Sequence, residues 1–162
     1  MVLASTLHLD IADERQMHAV AARLASATRA GLLMTLAGEL AAGKTSFVRG
    51  FLRGLGYGGL VKSPTFTLVE SYSLPDFVLH HFDLYRLIDP HELHYFGFDD
   101  YVRDDTVCLI EWPVRAGALL PRVDVALDID VVGDERRTLH FHGYTLAGRQ
   151  TCQSLVINPL VS

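Results

Sequence analysis

The eight residues Gly38-Glu39-Leu40-Ala41-Ala42-Gly43-Lys44-Thr45 satisfy the pattern G-x-x-x-x-G-K-[ST] at every fixed position, and they constrain the fold more than any other stretch. A glycine loop of this kind works only between a strand and a helix. Both neighbours are present. Ahead of it, Leu32-Leu33-Met34-Thr35-Leu36-Ala37 is an apolar run bounded by Gly31 and Gly38 and reads as a buried strand. Behind it, the segment from Phe47 to Leu52 is helix-compatible, with Phe47, Phe51 and Leu55 on one face.

Each residue type in the loop meets a separate physical demand. Gly38 and Gly43 let the backbone curl until successive amides point inward, in conformations that a side chain penalises. A helix beginning near Lys44 adds its positive end, so the loop is expected to bind phosphates. Lys44 is expected on the outer phosphates as a catalytic cation, and the Thr45 hydroxyl on a magnesium ion bridging them. The expected nucleotide-binding segment therefore runs through Gly38, Glu39, Leu40, Ala41, Ala42, Gly43, Lys44, Thr45 and the adjoining Ser46. A plain glycine turn beside a surface lysine would not require the flanking strand and helix.

With 162 residues, 49% of them hydrophobic, the chain is long enough for one substantial core and short for two, so a single domain over residues 1–162 is expected. The net charge of -5 and the lack of any Lys/Arg cluster argue against autonomous binding to DNA or RNA. No basic region followed by an apolar core opens Met1-Val2-Leu3-Ala4-Ser5-Thr6, so no leader is expected. No apolar run approaches a membrane span. Cys108 and Cys152 are far apart and lack metal-ligand spacing, which suits reduced thiols in a cytoplasm.

Along the chain, Thr6 to Leu9 reads as a short strand, and Asp10 or Asp13 as the cap of a helix through Thr28 with Met17, Val20, Ala21 and Leu24 on its apolar face. Gly54, Gly56, Gly58 and Gly59 then interrupt regular structure. Lys62 to Tyr72 reads as a loop followed by a strand that forms a hairpin with Phe77 to Asp83, turning at Ser73 to Asp76. Asp89 reads as the cap of a helix with Pro90 at its first position, ending near Gly97. Val107 to Glu111 resembles a buried central strand, stopped by Trp112-Pro113. Val123 to Asp130 and Thr138 to His142 alternate in period two and are expected to form one sheet edge. The segment after Gly148 has no clear pattern.

A magnesium nucleotide site needs a carboxylate from a neighbouring strand end. Glu111 and Asp83 both qualify. Glu111 is assigned with Thr45 to the metal, and Asp83 to a metal-bound or attacking water, with the two roles exchangeable at this level.

These segments together resemble the TsaE family, also called YjeE. The shared pieces are the loop from Gly38 to Thr45, then Ser63-Pro64-Thr65-Phe66-Thr67-Leu68, then His81-Phe82-Asp83-Leu84-Tyr85-Arg86-Leu87, then Leu109-Ile110-Glu111-Trp112-Pro113. Their order and intervals match across most of the chain. The resemblance implies a three-layer α/β P-loop NTPase fold with a central, largely parallel sheet and antiparallel additions. It further implies a bacterial ATPase using ATP and Mg2+, which works with TsaD and TsaB to make threonylcarbamoyladenosine in tRNA and meets tRNA only through that complex.

The family loop usually reads Gly-Asp-Leu-Gly-Ala-Gly-Lys-Thr-Thr, and here Glu39, Ala41 and Ser46 depart from it. Met17 stands where the first helix often has a threonine near the adenine. The resemblance nevertheless places adenine contacts near Asp13, Glu14 and Gln16. It also brings an arginine of the final strand pair to the nucleotide, Arg137 fitting best with Arg136 adjacent. The Ser63 to Leu68 segment resembles a mobile loop facing the outer phosphate, with Thr65 as its sensor; Ser-Pro-Thr opening an ordinary strand is the plainer alternative. Trp112 reads as core filler or as a partner-facing or site-shaping residue beside the metal ligand. His80 and His81, adjacent on a strand, face opposite ways and cannot easily share one zinc ion.

Two other functions use the same loop. A small-molecule P-loop kinase would need an arginine-bearing lid, whereas Arg49, Arg53, Arg86, Arg103, Arg115 and Arg122 are scattered. A GTPase-like switch would need Asn-Lys-x-Asp, which is excluded because Asn158 is the only asparagine.

Overall fold

The apolar run ahead of the glycine loop becomes an inner strand covered on both its faces, the environment that makes a near-continuous hydrophobic strand favourable. A computed structural model describes residues 5–157. The elements run β1 (Ser5–Ile11), α1 (Glu14–Ser26), β2 (Leu33–Gly38), α2 (Lys44–Gly54), β3 (Val69–Ser73), β4 (Val78–Asp83), α3 (Glu92–Phe96), β5 (Thr106–Glu111), β6 (Val125–Val131), β7 (Arg137–Gly143) and α4 (Leu146–Ile157). Short 3-10 segments cover Phe98–Asp100 and Pro113–Leu119. Residues 1–4, on which most of the leader reading rests, and Asn158 lie outside the described residues.

The strands form one sheet in the order β1-β7-β6-β2-β5-β4-β3. The four inner strands β6, β2, β5 and β4 are mutually parallel, and antiparallel pairs extend the sheet at both sides. The expected largely parallel core with antiparallel additions is therefore the observed architecture. On one face, α1, α2 and α4 enclose Met34, Leu36, Leu109, Leu127 and Phe141. On the other, α3 and the 3-10 segments cover Leu33, Phe82, Cys108 and Ile110. Alternation along β5 sends Leu109 and Cys108 to opposite layers, which is why all its residues are buried.

Helix α1 is capped by Asp13, whose carboxylate accepts from the Gln16 amide at 2.9 Å, while the Gln16 side chain accepts from the Ala12 amide at 2.7 Å. This reciprocal cap sets where the helix begins. Met17, Val20, Ala21 and Leu24 are buried as their spacing requires. Against α1 lies α2, and Gly50 and Gly54 permit the close approach: a Cβ on either would come within 2.6 Å of the His18 Cα or 2.5 Å of the Ala22 Cα. Phe47 packs beside Phe51 and Phe141 with ring centroids 6.4 and 6.3 Å apart. Burying each such ring contributes about 1.5–3 kcal/mol and holds the glycine loop's helix onto the sheet.

The hairpin reading is met by antiparallel pairing from Val69 opposite Phe82 to Ser73 opposite Val78. Three expectations change. The strands β6 and β7 pair, but neither is an edge; β6 is bonded to β2, and β1 closes that side of the sheet. Their period-two pattern comes from one uncovered sheet face. The Asp89 cap forms, its carboxylate accepting from the His91 amide at 3.0 Å and Glu92 accepting from the Asp89 amide at 3.0 Å, but Pro90 and His91 stay in a turn and the helix is short, Glu92–Phe96. Third, the segment after Gly148 continues α4, whose Cys152 and Leu155 enter the core.

Candidate nucleotide and metal site

Gly43 adopts φ 115°, a conformation closed to most side chains, and there the strand–loop–helix path reverses into α2. The loop closes on itself through Lys44, whose ammonium donates to the carbonyl oxygens of Gly38 at 2.7 Å and Glu39 at 2.8 Å. Ala41 takes φ 65° at the position where the resemblance has glycine. The two other non-glycine residues with positive φ among those described, Leu68 and Trp112, end the Ser63–Leu68 loop and follow β5. Each left-handed residue costs about 1–2 kcal/mol; Ala41 and Trp112 line one opening, and the Leu68 carbonyl accepts from the amide of Asp83, which also lines it.

Parallel pairing of β4 with β5 sets Asp83 directly beside Glu111. Both carboxylates face the first turn of α2. The Thr45 hydroxyl donates to Glu111, 3.0 Å from Oε2 and 3.3 Å from Oε1. Thr65 donates to Asp83 Oδ2 at 3.3 Å, and the Tyr85 amide to Oδ1 at 3.0 Å. Burial pushes the Asp83 carboxyl up from its ordinary value and Glu111 adds to this, while the hydrogen bonds from the Tyr85 amide and Thr65 oppose it. Burial also lowers Lys44, and Glu111, Asp83 and Glu39 counter that effect.

These groups line a cavity of about 300 Å³ that receives Leu40 through Ser46, Thr65, Asp83 and Glu111. Tyr85 and Trp112 form its apolar wall, their rings 4.9 Å apart. The donor set is oxygen-only, a hydroxyl and two carboxylates beside one lysine, which fits a hard cation such as Mg2+ and does not resemble a zinc site.

Across the loop a second cavity of about 260 Å³ is floored by Met17 and bounded by Ile11, Glu14, Ser46, Asp134 and Arg137. Arg137 is anchored there by Nε donating to the Ala42 carbonyl at 2.8 Å. Ser46 donates to Glu14 at 3.0 Å and meets His18 at 2.9 Å. Of the residues expected at the base, Asp13, Glu14 and Arg137 line this space. Gln16 does not; it completes the α1 cap and lines an adjoining recess shared with Arg136. Gly38 and Glu39 contribute backbone carbonyls to Lys44, and neither lines the phosphate-side cavity.

Sequence reasoning did not find Ile11, Asp134 or Glu135 as walls of the second cavity, nor the contact of His81 with Glu111. The turn between β6 and β7 gives no motif, and its place beside the loop comes from strand order. His80 and His81 do face opposite layers: His80 meets the Tyr101 ring at 4.9 Å, whereas His81 is buried against Glu111.

The chain is similar to a tRNA threonylcarbamoyladenosine biosynthesis protein TsaE of Haemophilus influenzae, 47% identical over 109 residues that cover 67% of this chain and 69% of the relative. It is 36% identical to the protein of that name from Bacillus subtilis over 143 residues, 88% of this chain and 89% of the relative. The crystal structure of Bacillus subtilis YdiB superposes with a TM-score of 0.82 at 29% identity, over 97% of this chain and 98% of that one. Residues 11–139, which run from the Ile11 wall of the second cavity through the loop and both carboxylates, match the family model for the threonylcarbamoyl adenosine biosynthesis protein TsaE, and the chain belongs to that family.

Proposed function

We propose that the protein binds ATP with Mg2+ and hydrolyses it slowly, as an accessory of the machinery that forms N6-threonylcarbamoyladenosine at adenosine 37 of tRNA, acting with TsaD and TsaB in the cytoplasm. The observation that carries this reading is the Thr45 hydroxyl 3.0 Å from Glu111 at the opening of the glycine loop, with Asp83 on the adjacent strand. The loop amides from Leu40 to Ser46 and the positive end of α2 hold the phosphates. Lys44 exchanges the Gly38 and Glu39 carbonyls for phosphate oxygens. Bound magnesium supplies charge neutralisation between the outer phosphates, with Thr45 and Glu111 as its protein partners.

Asp83 orients the water whose oxygen bonds the γ-phosphorus as the bond to the β–γ bridging oxygen breaks, giving ADP and inorganic phosphate. Thr65, bonded to Asp83, links this step to the Ser63–Leu68 loop. Among the residues lining the cavity Lys44 is the one cation, so the charge of the transferring group is incompletely stabilised and turnover is slow until a partner docks. The net charge of -5 suits a chain that meets tRNA through its partners. No helix among the described residues is long and apolar enough to cross a membrane.

The test is purification of the protein with TsaB and TsaD from the same organism, with and without ATP and magnesium, alongside phosphate release. Nucleotide-dependent assembly and slow release of phosphate are expected, both lost in K44A. Phosphoryl transfer to a metabolite in place of water would instead establish a small-molecule kinase. A fully active modification assembly built with K44A that binds no nucleotide would refute the accessory role.

A further inference from the structure

The Glu111 carboxylate is 3% exposed, and a carboxylate so far from water needs hydrogen-bond donors within the protein. Thr45 is one donor. The second is His81, fully buried two residues before Asp83, with Nε2 2.5 Å from Glu111 Oε2. The other ring nitrogen, Nδ1, has no hydrogen-bond partner. That asymmetry selects the tautomer. A proton on Nε2 strands only a lone pair at Nδ1, whereas a proton on Nδ1 would strand a buried N–H and face a bare nitrogen against the carboxylate. His81 therefore donates Nε2–H to Oε2. Oε1 is left with the longer contact to Thr45, 3.3 Å.

We infer that His81 is a positioning residue for the metal site: it holds the Glu111 carboxylate in place through Oε2, so that the Thr45 hydroxyl can turn a lone pair to a divalent cation without the carboxylate swinging away. The inference rests on the proposed magnesium-nucleotide function and adds to it the residue that orients its carboxylate. The chemistry is that of an outer donor which fixes a ligand's geometry, where loss typically lowers metal affinity about 10–100-fold. A histidine that merely filled the layer between β4 and α2 would be replaceable by any side chain of its volume.

The experiment compares the parent with H81F, H81Q and H81N by calorimetric titration of ADP with magnesium or with EDTA, and by the paramagnetic signal of Mn2+ bound with ADP. A thermal melt of each variant checks folding. H81F is expected to lose about tenfold or more of the magnesium-dependent gain in nucleotide affinity, with affinity in EDTA unchanged. H81Q, whose amide N–H reaches the position of Nε2, is expected to recover most of that gain, and H81N, which reaches only the position of Nδ1, is not.

In an E111Q background H81F is expected to change nothing further, since the histidine acts through that carboxylate. An H81F variant that keeps the parent's magnesium dependence, or that weakens nucleotide binding equally in EDTA, overturns the inference while the proposed function stands. If H81F does not fold, equal behaviour of H81Q and H81N overturns it. A parent without any magnesium-dependent gain overturns both.

Discussion

The Lys44 ammonium lies 4.3 Å from the centroid of the Trp112 indole while it donates to two carbonyls of its own loop. The lysine is thus parked between a backbone cradle and an aromatic face, a favourable cation–π position in a partly dry cavity. Trp112 can sit there because it leaves β5 in the left-handed region, at φ 57°, which turns its ring back over the loop.

Trp112 is the sole tryptophan, so its emission reports this contact without background. Binding of magnesium-ATP is expected to draw the ammonium toward the phosphates and change the emission saturably. In K44A the resting spectrum should already be altered and the nucleotide response lost. A response of parental size in that variant would show that the indole senses something other than the lysine.

Asp83 behaves as a carboxyl that burial holds above its ordinary range. For a group whose folded value is raised, the stabilisation is full at pH below the unfolded value and is lost as pH rises through the folded one, so the ionised form at neutral pH is a burden on the fold. Asparagine keeps the acceptor for the Tyr85 amide and carries no charge. D83N is therefore expected to melt at or above the parent's temperature near pH 7 while losing hydrolysis. A melting temperature well below the parent's would falsify the sign.

Cys108 and Cys152 are free and buried, and burial pushes their thiols up to about 12 and about 11. Neither is a nucleophile at neutral pH. In the folded protein both should resist a thiol reagent until denaturant is added. Above about pH 9 these thiols ionise in the unfolded chain first, so stability should fall with rising pH by about 1.4 kcal/mol per unit for each. A urea midpoint that is flat between pH 9 and pH 10.5 would count against buried, neutral thiols.

Much of this fold was legible in local patterns. The buried strand into the glycine loop, the α1 face of Met17, Val20, Ala21 and Leu24, and the all-apolar β5 each state their environment residue by residue. Where structure and local pattern part, the pattern is real but its cause lies elsewhere in the fold. Alternation in β6 and β7 reports an uncovered face, which an edge strand and an inner strand can share. The Asp89-Pro90 signal does cap a helix, with Asp89 and Glu92 bonding reciprocally, but that helix runs only from Glu92 to Phe96.

Sequence alone determined the loop, because its amides, glycines, Lys44 and Thr45 act on neighbours a few residues away and their spacing carries the geometry. It also narrowed the partner acid to Glu111 and Asp83. Only the tertiary structure decided that these two stand side by side, that His81 braces one of them, and that Ile11, Met17 and Arg137 enclose a second cavity. Those relationships depend on which strands lie next to each other. Strand order is set by how the two apolar layers close over the inner strands of the sheet, a global balance of burial that no short stretch of residues encodes.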